Sequence, residues 1–204
     1  MALERLQLEH IPPAYQVYAA FFRDVANTDF LQAQLLARNS EFEYAFVDAS
    51  SVISRLHLLS AVYSALNALL DGTLRTPNVH SEIVVSLNVN NNIADAYRRW
   101  GITPGKTKDL IVVKVVPPPK PGTPDDAQTQ EQTQETIWAH LTEHVHGTPA
   151  PLTDVELALA TDWPKIRKYY RLNGVPALER LADEGARRKE GERLAIMGMA
   201  LRGL

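Results

Sequence analysis

Residues 74–102, LRTPNVHSEIVVSLNVNNNIADAYRRWGI, carry the pattern from which the rest of the chain is read. Ile83, Val85 and Leu87 alternate with Val84 and Ser86, a period that predicts a strand with one face in the core. Asn90, Asn91 and Asn92 stop that ladder, because asparagine side chains bond nearby backbone and favour turns and caps. Asn92 suits a helix N-cap, with Asp95 at the third helical position, where the dipole favours a negative charge. Ile93, Ala96, Tyr97 and Trp100 then recur at i, i+3, i+4, i+7 and define one apolar face. Gly101 reads as a left-handed stop. Asp95, Arg98 and Arg99 are left to face outward. A helix of two turns is stable only when it rests on a sheet. The segment holds no catalytic group, and its order without reactive chemistry suggests a binding surface.

Working outward, 204 residues most simply form one domain that buries roughly 70% of its unfolded surface. There is no cysteine, which excludes a disulfide framework and any thiolate metal site. Met1 to His10 lack an apolar signal core, and no run approaches a membrane span. The net charge of −3 conceals a strong asymmetry. Residues 1–72 carry −4, 73–120 carry +4, 121–162 carry −8 and 163–204 carry +5. Two basic blocks fit an anionic partner despite the acidic total.

The expected fold class is α/β: one domain over 1–204, a mixed central β-sheet flanked by helices, and a helical C-terminal part. Leu6 to Ile11 and Tyr15 to Phe22 read as strands around Pro12-Pro13. Thr28 should cap a helix through Leu36, and Tyr44 to Val47 is a short buried strand. Ser54 begins the strongest helix, with Leu59, Val62, Tyr63, Leu66 and Leu70 as its stripe and Asp71-Gly72 as its end. Leu110 to Val116 is apolar almost throughout, as a strand covered on both faces would be. Prolines and a Gln/Thr/Asp/Glu tract follow, so 117–134 reads as a disordered insertion with nothing apolar to pack. Helices are expected over 135–146, 154–171, 177–182 and 187–201.

Several features invite a chemical reading. Residues 101–107, GITPGKT, resemble a phosphate loop but are one residue short. They also join a helix to a strand, the reverse of the order that aims helix amides at an anion. His140, Glu143 and His144 match H-x-x-E-H, the pattern of a zinc-dependent hydrolase, but no supporting third ligand is evident. Asp48 and Ser50 suit a capping turn after a strand, and His57 and His80 have no partner that the sequence reveals. Tyr169 and Tyr170 sit in a basic helix and read as core. Arg98 and Arg99 are more informative, because Arg75, Lys106 and Lys108 flank the same unit. Such charges can pair with phosphates while asparagines read sugar or base edges. In the last helix, Leu194, Met197 and Leu201 lie at i, i+3, i+7 beside Ile196 and Ala200, a face suited to packing.

Leu74-Arg75-Thr76, Ser81-Glu82-Ile83, Leu87, Asn91-Asn92-Ile93, Ala96 and Trp100-Gly101-Ile102 together resemble the PRPK-binding small subunit family of the KEOPS (EKC) complex. Residues 166–172 and 200–203 extend the likeness. The resemblance implies a non-catalytic protein without cofactor or metal. It implies two partners: a PRPK-type kinase/ATPase, held by a surface that includes Leu194, Ile196, Met197 and Leu201, and the 3′ CCA tail of tRNA. For the tail the candidate residues are Arg75, Asn91 and Asn92, which lie in the matching stretches, with Arg98 and Arg99, which the charge pattern adds. The process implied is threonylcarbamoyladenosine modification beside the anticodon, in nucleus and cytoplasm, with links to telomere maintenance and transcription in eukaryotes. The alternatives are the hydrolase built on His140, Glu143 and His144, or a free-standing RNA-binding module.

Overall fold

The computed structural model describes residues 3–118 and 133–202. The strands are β1 (Glu4–Leu6), β2 (Gln16–Arg23), β3 (Ala45–Asp48), β4 (Leu110–Val116) and β5 (Thr148–Ala150). The helices are α1 (Thr28–Leu36), α2 (Arg55–Leu70), α3 (Val79–Ser86), α4 (Ile93–Trp100), α5 (Gln134–His144), α6 (Asp154–Ala160), α7 (Trp163–Tyr169), α8 (Pro176–Glu179) and α9 (Glu184–Ala200).

β2 and β4 form the centre of the sheet, running antiparallel from the pair Gln16–Val116 to the pair Phe22–Leu110. β3 lies on the far edge of β4. β1 and β5 share the remaining edge of β2, one opposite residues 17–19 and the other opposite 21–23. All these pairs are antiparallel. Alternation then divides the side chains between two cores. Val17, Ala19, Phe21, Val47, Ile111 and Val113 face the larger layer, which holds α2, α3, α4, α7 and α9. Tyr18, Ala20, Phe22, Phe46, Leu110 and Val112 face α1 and α5. The expected single sheet flanked by helices, with β4 covered on both faces and a helical C-terminal part, is what the chain forms, but the sheet is antiparallel rather than mixed.

Several elements differ from the sequence reading. Residues 79–86 are a helix, not a strand. Asn78 caps it by accepting from the Ser81 amide (2.9 Å), and Val79, His80 and residues 82–86 are all buried. A helix enclosed on nearly every side leaves no polar face, so its β-branched run imitates strand alternation. Gly101 is extended (φ −75°, ψ 166°) rather than left-handed, and pairs with Val47 at the edge of β3. A Cβ there would lie 2.6 Å from Tyr97 O, so close approach is what requires the glycine. The single helix expected over 154–171 breaks at residues 161–162, where Asp162 accepts from the Lys165 amide and Pro164 occupies the first turn of α7. Thr28 is the first residue of α1, after Asn27, rather than its cap. β1 is shorter and earlier than expected, and β5 was not anticipated. In α2 the cap at Ser54 is present, but Tyr63 and Leu70 face solvent, and the core stripe runs through Leu58, Ala61, Val62, Ala65 and Leu66. Most of the expected insertion at 117–134 lies outside the described residues. Its last residue, Gln134, belongs to α5 and donates to Leu3 O (2.9 Å).

Candidate nucleic-acid and partner interfaces

The asparagine run is a small hydrogen-bonded ladder. Asn88 Nδ2 donates to Asn90 Oδ1 (3.0 Å) and to Asn92 O (3.2 Å), while the Asn92 amide donates to Asn90 Oδ1 (2.9 Å). Asn92 Oδ1 then accepts from the Asp95 amide (2.9 Å), the N-cap read from sequence. Much of the polar capacity here holds the backbone of the α3–α4 connection. Asn91 is exposed, and its Oδ1 accepts from Arg75 Nη1, so the turn before α3 and the turn after it meet.

Asp95 is buried rather than outward, because both following arginines close over it. Arg98 pairs with Oδ1, and Arg99 Nε lies 2.9 Å from Oδ2. Burial alone would raise the carboxyl pKa, but the Arg98 hydrogen bond and the charges of both arginines hold it below the ordinary value. The two arginines differ in accessibility. The Arg98 side chain is 75% exposed, whereas that of Arg99 is 26% exposed and its guanidinium stacks over Tyr169 at 5.1 Å. Tyr97, expected in the core, is exposed beside Arg98. Helical spacing of 100° puts it at the edge of the arc through Ile93, Ala96 and Trp100, the one signal that marked it. Arg75, Asn91, Asn92, Tyr97 and Arg98 thus form a polar strip with an aromatic ring at its end.

A second surface begins behind Arg75. Glu82 Oε2 accepts from the Arg75 amide (3.0 Å), the Thr76 amide (3.0 Å) and the Thr76 hydroxyl (2.8 Å). Its other oxygen lies 3.8 Å from Arg202 Nη2, both side chains being at least nine-tenths buried. Arg202 also donates to Val85 O. The end of α9 is thereby fastened to α3 and to the turn carrying Arg75. Above this pair, Ser60, Tyr63 and Asn67 of α2 face Ile196, Met199 and Ala200 of α9 across a groove. The four residues expected at a partner surface, three on α9 and Leu201 as its C-cap, divide accordingly. Met197 (45% exposed) and Leu201 (57%) face solvent, Leu194 packs against the chain's own core, and Ile196 lines the groove.

The remaining candidates resolve into structural roles. Asp48 Oδ1 accepts from the Ser50 amide and hydroxyl, and Oδ2 pairs with Lys165 (3.2 Å), which makes a capped turn tied to α7. His57 Nδ1 accepts from the Ile53 amide (3.2 Å), so its proton sits on Nε2 and is donated to Tyr170 Oη (2.7 Å), which donates onward to Leu87 O (2.7 Å). His80 Nε2 accepts from the Val115 amide (3.0 Å), occupying β4 beyond the end of β3. Residues 101–107 turn from α4 into β4, with the Thr103 amide donating to Thr107 Oγ1 (2.9 Å). His140 Nδ1 is 3.0 Å from Tyr44 Oη, and its ring lies edge-on to Phe42 and His144. Among the described residues, no group of three or more metal-binding side chains gathers around them or elsewhere. No helix of the described residues is long and apolar enough to cross a membrane.

Residues 22–203 match the kinase-binding protein family CGI-121, and the chain belongs to that family. Among curated relatives, the EKC/KEOPS complex subunit cgi121 of Neurospora crassa is 60% identical over the whole of both chains. The EKC/KEOPS complex subunit CGI121 of Gibberella zeae is 54% identical over the whole of both. The corresponding subunit of Aspergillus fumigatus is 43% identical over all of this chain and 98% of its own.

Proposed function

We propose that this chain is the non-catalytic small subunit of an EKC/KEOPS complex, holding a PRPK-type kinase/ATPase on α9 and the single-stranded CCA end of tRNA on the Arg75–Asn91–Arg98 strip. Membership of the kinase-binding family and full-length likeness to EKC/KEOPS subunits support the partner. The observation that carries the docking face is the pair Met197 and Leu201, two large apolar side chains one turn apart and open to solvent at the end of α9. Apolar side chains of this size contribute roughly 1.5–3 kcal/mol each when buried, and methionine adapts to an irregular partner. For RNA, Arg98, 75% exposed although paired with Asp95, supplies a cation and the exposed Tyr97 a stacking face, the combination that single strands favour. In this reading the protein supports threonylcarbamoyladenosine formation next to the anticodon, performs no chemistry itself, and works in nucleus and cytoplasm. Ties to telomere maintenance and transcription belong to the same reading.

Two variants separate the two contacts. Met197→Glu/Leu201→Glu places charge on the α9 face without touching the core, and should abolish co-elution with the kinase while leaving the melt unchanged. Arg75→Glu/Arg98→Glu spares Arg99, which packs on Tyr169. It should weaken tRNA binding strongly and flatten the log–log salt dependence by roughly 0.7 for each lost contact. Removing the CCA end should weaken the wild type and have little further effect on this variant. Kinase co-elution of the folded α9 variant would refute the docking face, and wild-type tRNA affinity of the arginine variant would refute the strip.

A further inference from the structure

Along α7, from Trp163 to the loop that follows its C-terminal end at residues 172–174, the chain forms a pocket that the readings above leave unused. Its floor is Trp163, Leu172 and Leu178, and its rim carries the guanidinium groups of Arg167, Arg187 and Arg188, with a volume of about 380 Å³. That size suits one small ligand or one residue of a longer one. Gly191 forms the α9 side, where a Cβ would meet Leu172 at 3.5 Å and Trp163 at 3.6 Å.

The three arginines are fixed by one carboxylate. Glu184 lies 3.2 Å from Arg167 Nη2, 3.2 Å from Arg187 Nη1 and 3.2 Å from Arg188 Nε. Arg187 spends its other donors on the carbonyls of Leu181 and Ala182. Arg167 and Arg188 are different. Each gives a single donor to Glu184 and has no other acceptor among the described residues. Two guanidinium forks, oriented by a shared carboxylate and still mostly unfilled, match the geometry of a phosphate. Arg188 also lies over the Trp163 ring at 5.4 Å, so charge and aromatic surface are contiguous. The other polar side chains of the lining are Asn173 and Glu179, the latter an anionic acceptor at an otherwise cationic mouth.

We propose that this pocket is a nucleotide subsite for single-stranded RNA, continuing the strand bound at Arg98. The base rests on Trp163 and Leu172, its exocyclic amine donates to Glu179, and its phosphate takes the free donors of Arg167 and Arg188. The proposal rests on the RNA reading above and extends it to a second contact. α7 joins the two sites. Arg99 covers Tyr169 at one end of the helix, Trp163 stands at the other, and six helical rises separate them by about 9 Å. Lys168, exposed, lies on the helix between them. A phosphate-bearing peptide would use the same forks, but Glu179 and the flat apolar floor favour a base with an amino group. Cytosine and adenine carry such a donor and uracil does not.

The test measures binding of fluorescent tRNA, and of short oligo(C), oligo(A) and oligo(U), to the full chain by anisotropy across a salt series. Arg167→Glu/Arg188→Glu, with an unchanged melt, should bind tRNA roughly tenfold or more weakly, with a salt slope flatter by about 1.4. Glu179→Gln should reduce the preference for oligo(C) and oligo(A) over oligo(U) that the wild type shows. Loss in this variant with wild-type affinity in Arg75→Glu/Arg98→Glu would keep the pocket and remove the strip. Wild-type affinity in Arg167→Glu/Arg188→Glu, with loss in the strip variant, would overturn the pocket and leave the strip. A wild type that binds none of these RNAs would overturn both. Retained RNA binding with lost kinase co-elution would make the pocket a protein contact and overturn the proposal.

Discussion

His57 is enclosed by α2, α7 and the end of α3, with both ring nitrogens committed to hydrogen bonds. Burial lowers its pKa from 6.5 to about 3. His80 is lowered to about 3 as well, first by burial and then by the charge of Lys114. Above pH 6.5 neither the folded nor the unfolded chain protonates these rings, and stability does not depend on them. Below 6.5 the unfolded chain takes up protons that the fold refuses, so stability falls until about pH 3. The loss amounts to roughly 2 kcal/mol per histidine by pH 5. Urea melts at pH 7.5, 6 and 5 should show this decline, and His57→Gln/His80→Gln should flatten it even if that variant is less stable throughout. The buried pair Glu82–Arg202 makes a second prediction at this scale. Glu82→Ala strands two amides, a hydroxyl and a buried guanidinium, and should cost roughly 3–5 kcal/mol, lowering Tm by about 10 °C or more. Arg202→Met leaves Glu82 Oε2 still bonded to three donors and should cost distinctly less. Calorimetry of both variants checks the order. Asn92 and Asp95 were legible because a cap acts over three residues. Glu82 and Arg202 were not, since nothing local announces a pairing between residues so far apart in the chain.

The two elements most misread from sequence, α3 and the α6–α7 break, failed for different reasons. In α3 the apolar pattern pointed to a strand because burial on almost all sides erased the helical period, yet the cap was in plain view. Pro77 precedes Asn78, and Ser81 follows at the spacing of a side-chain cap. At residues 161–164, Asp162 and Pro164 form a helix start inside what periodicity alone joined into one helix. Where packing and capping disagree, the cap marks the boundary better, because its hydrogen bond is local and independent of tertiary burial. α3 therefore depends measurably on Asn78. Asn78→Ala should lower stability by about 1 kcal/mol, and Asn78→Ser, which retains an acceptor, should recover most of it. Because α3 carries Glu82, the alanine variant should also loosen the turn at Arg75, seen as faster amide exchange at Arg75 and Thr76. Equal stability of the alanine and serine variants would mean that α3 is held by packing alone. β5 escaped notice because three residues including Pro149 carry almost no strand signal, and proline fits there only because the strand is an edge.

At the scale of the molecule, the three-layer plan was legible from two elements: the amphipathic α2 and the wholly apolar β4. The sheet order was not, since alternation reports which face a residue occupies and never which strand lies beside it. That order has a kinetic consequence. The centre of the sheet is built from residues 16–22 and 110–116, so most of the larger core lies in sequence between the two strands that must pair. Chain closure over such a span is slow compared with helix formation. During synthesis, Val17, Phe21 and Phe22 emerge long before the partner that covers them, with β1 as the sole early neighbour. Refolding followed by stopped flow should therefore show far-ultraviolet ellipticity gained early, from α2, α3 and α4. Burial of Trp100 should follow on a timescale of milliseconds to seconds. Superimposable traces from the two probes would refute that order. An exposed Phe-rich strand waiting for its mate is a target for chaperones and for aggregation. Substitutions that delay β4, rather than those that merely weaken the finished fold, should give the lowest soluble yields.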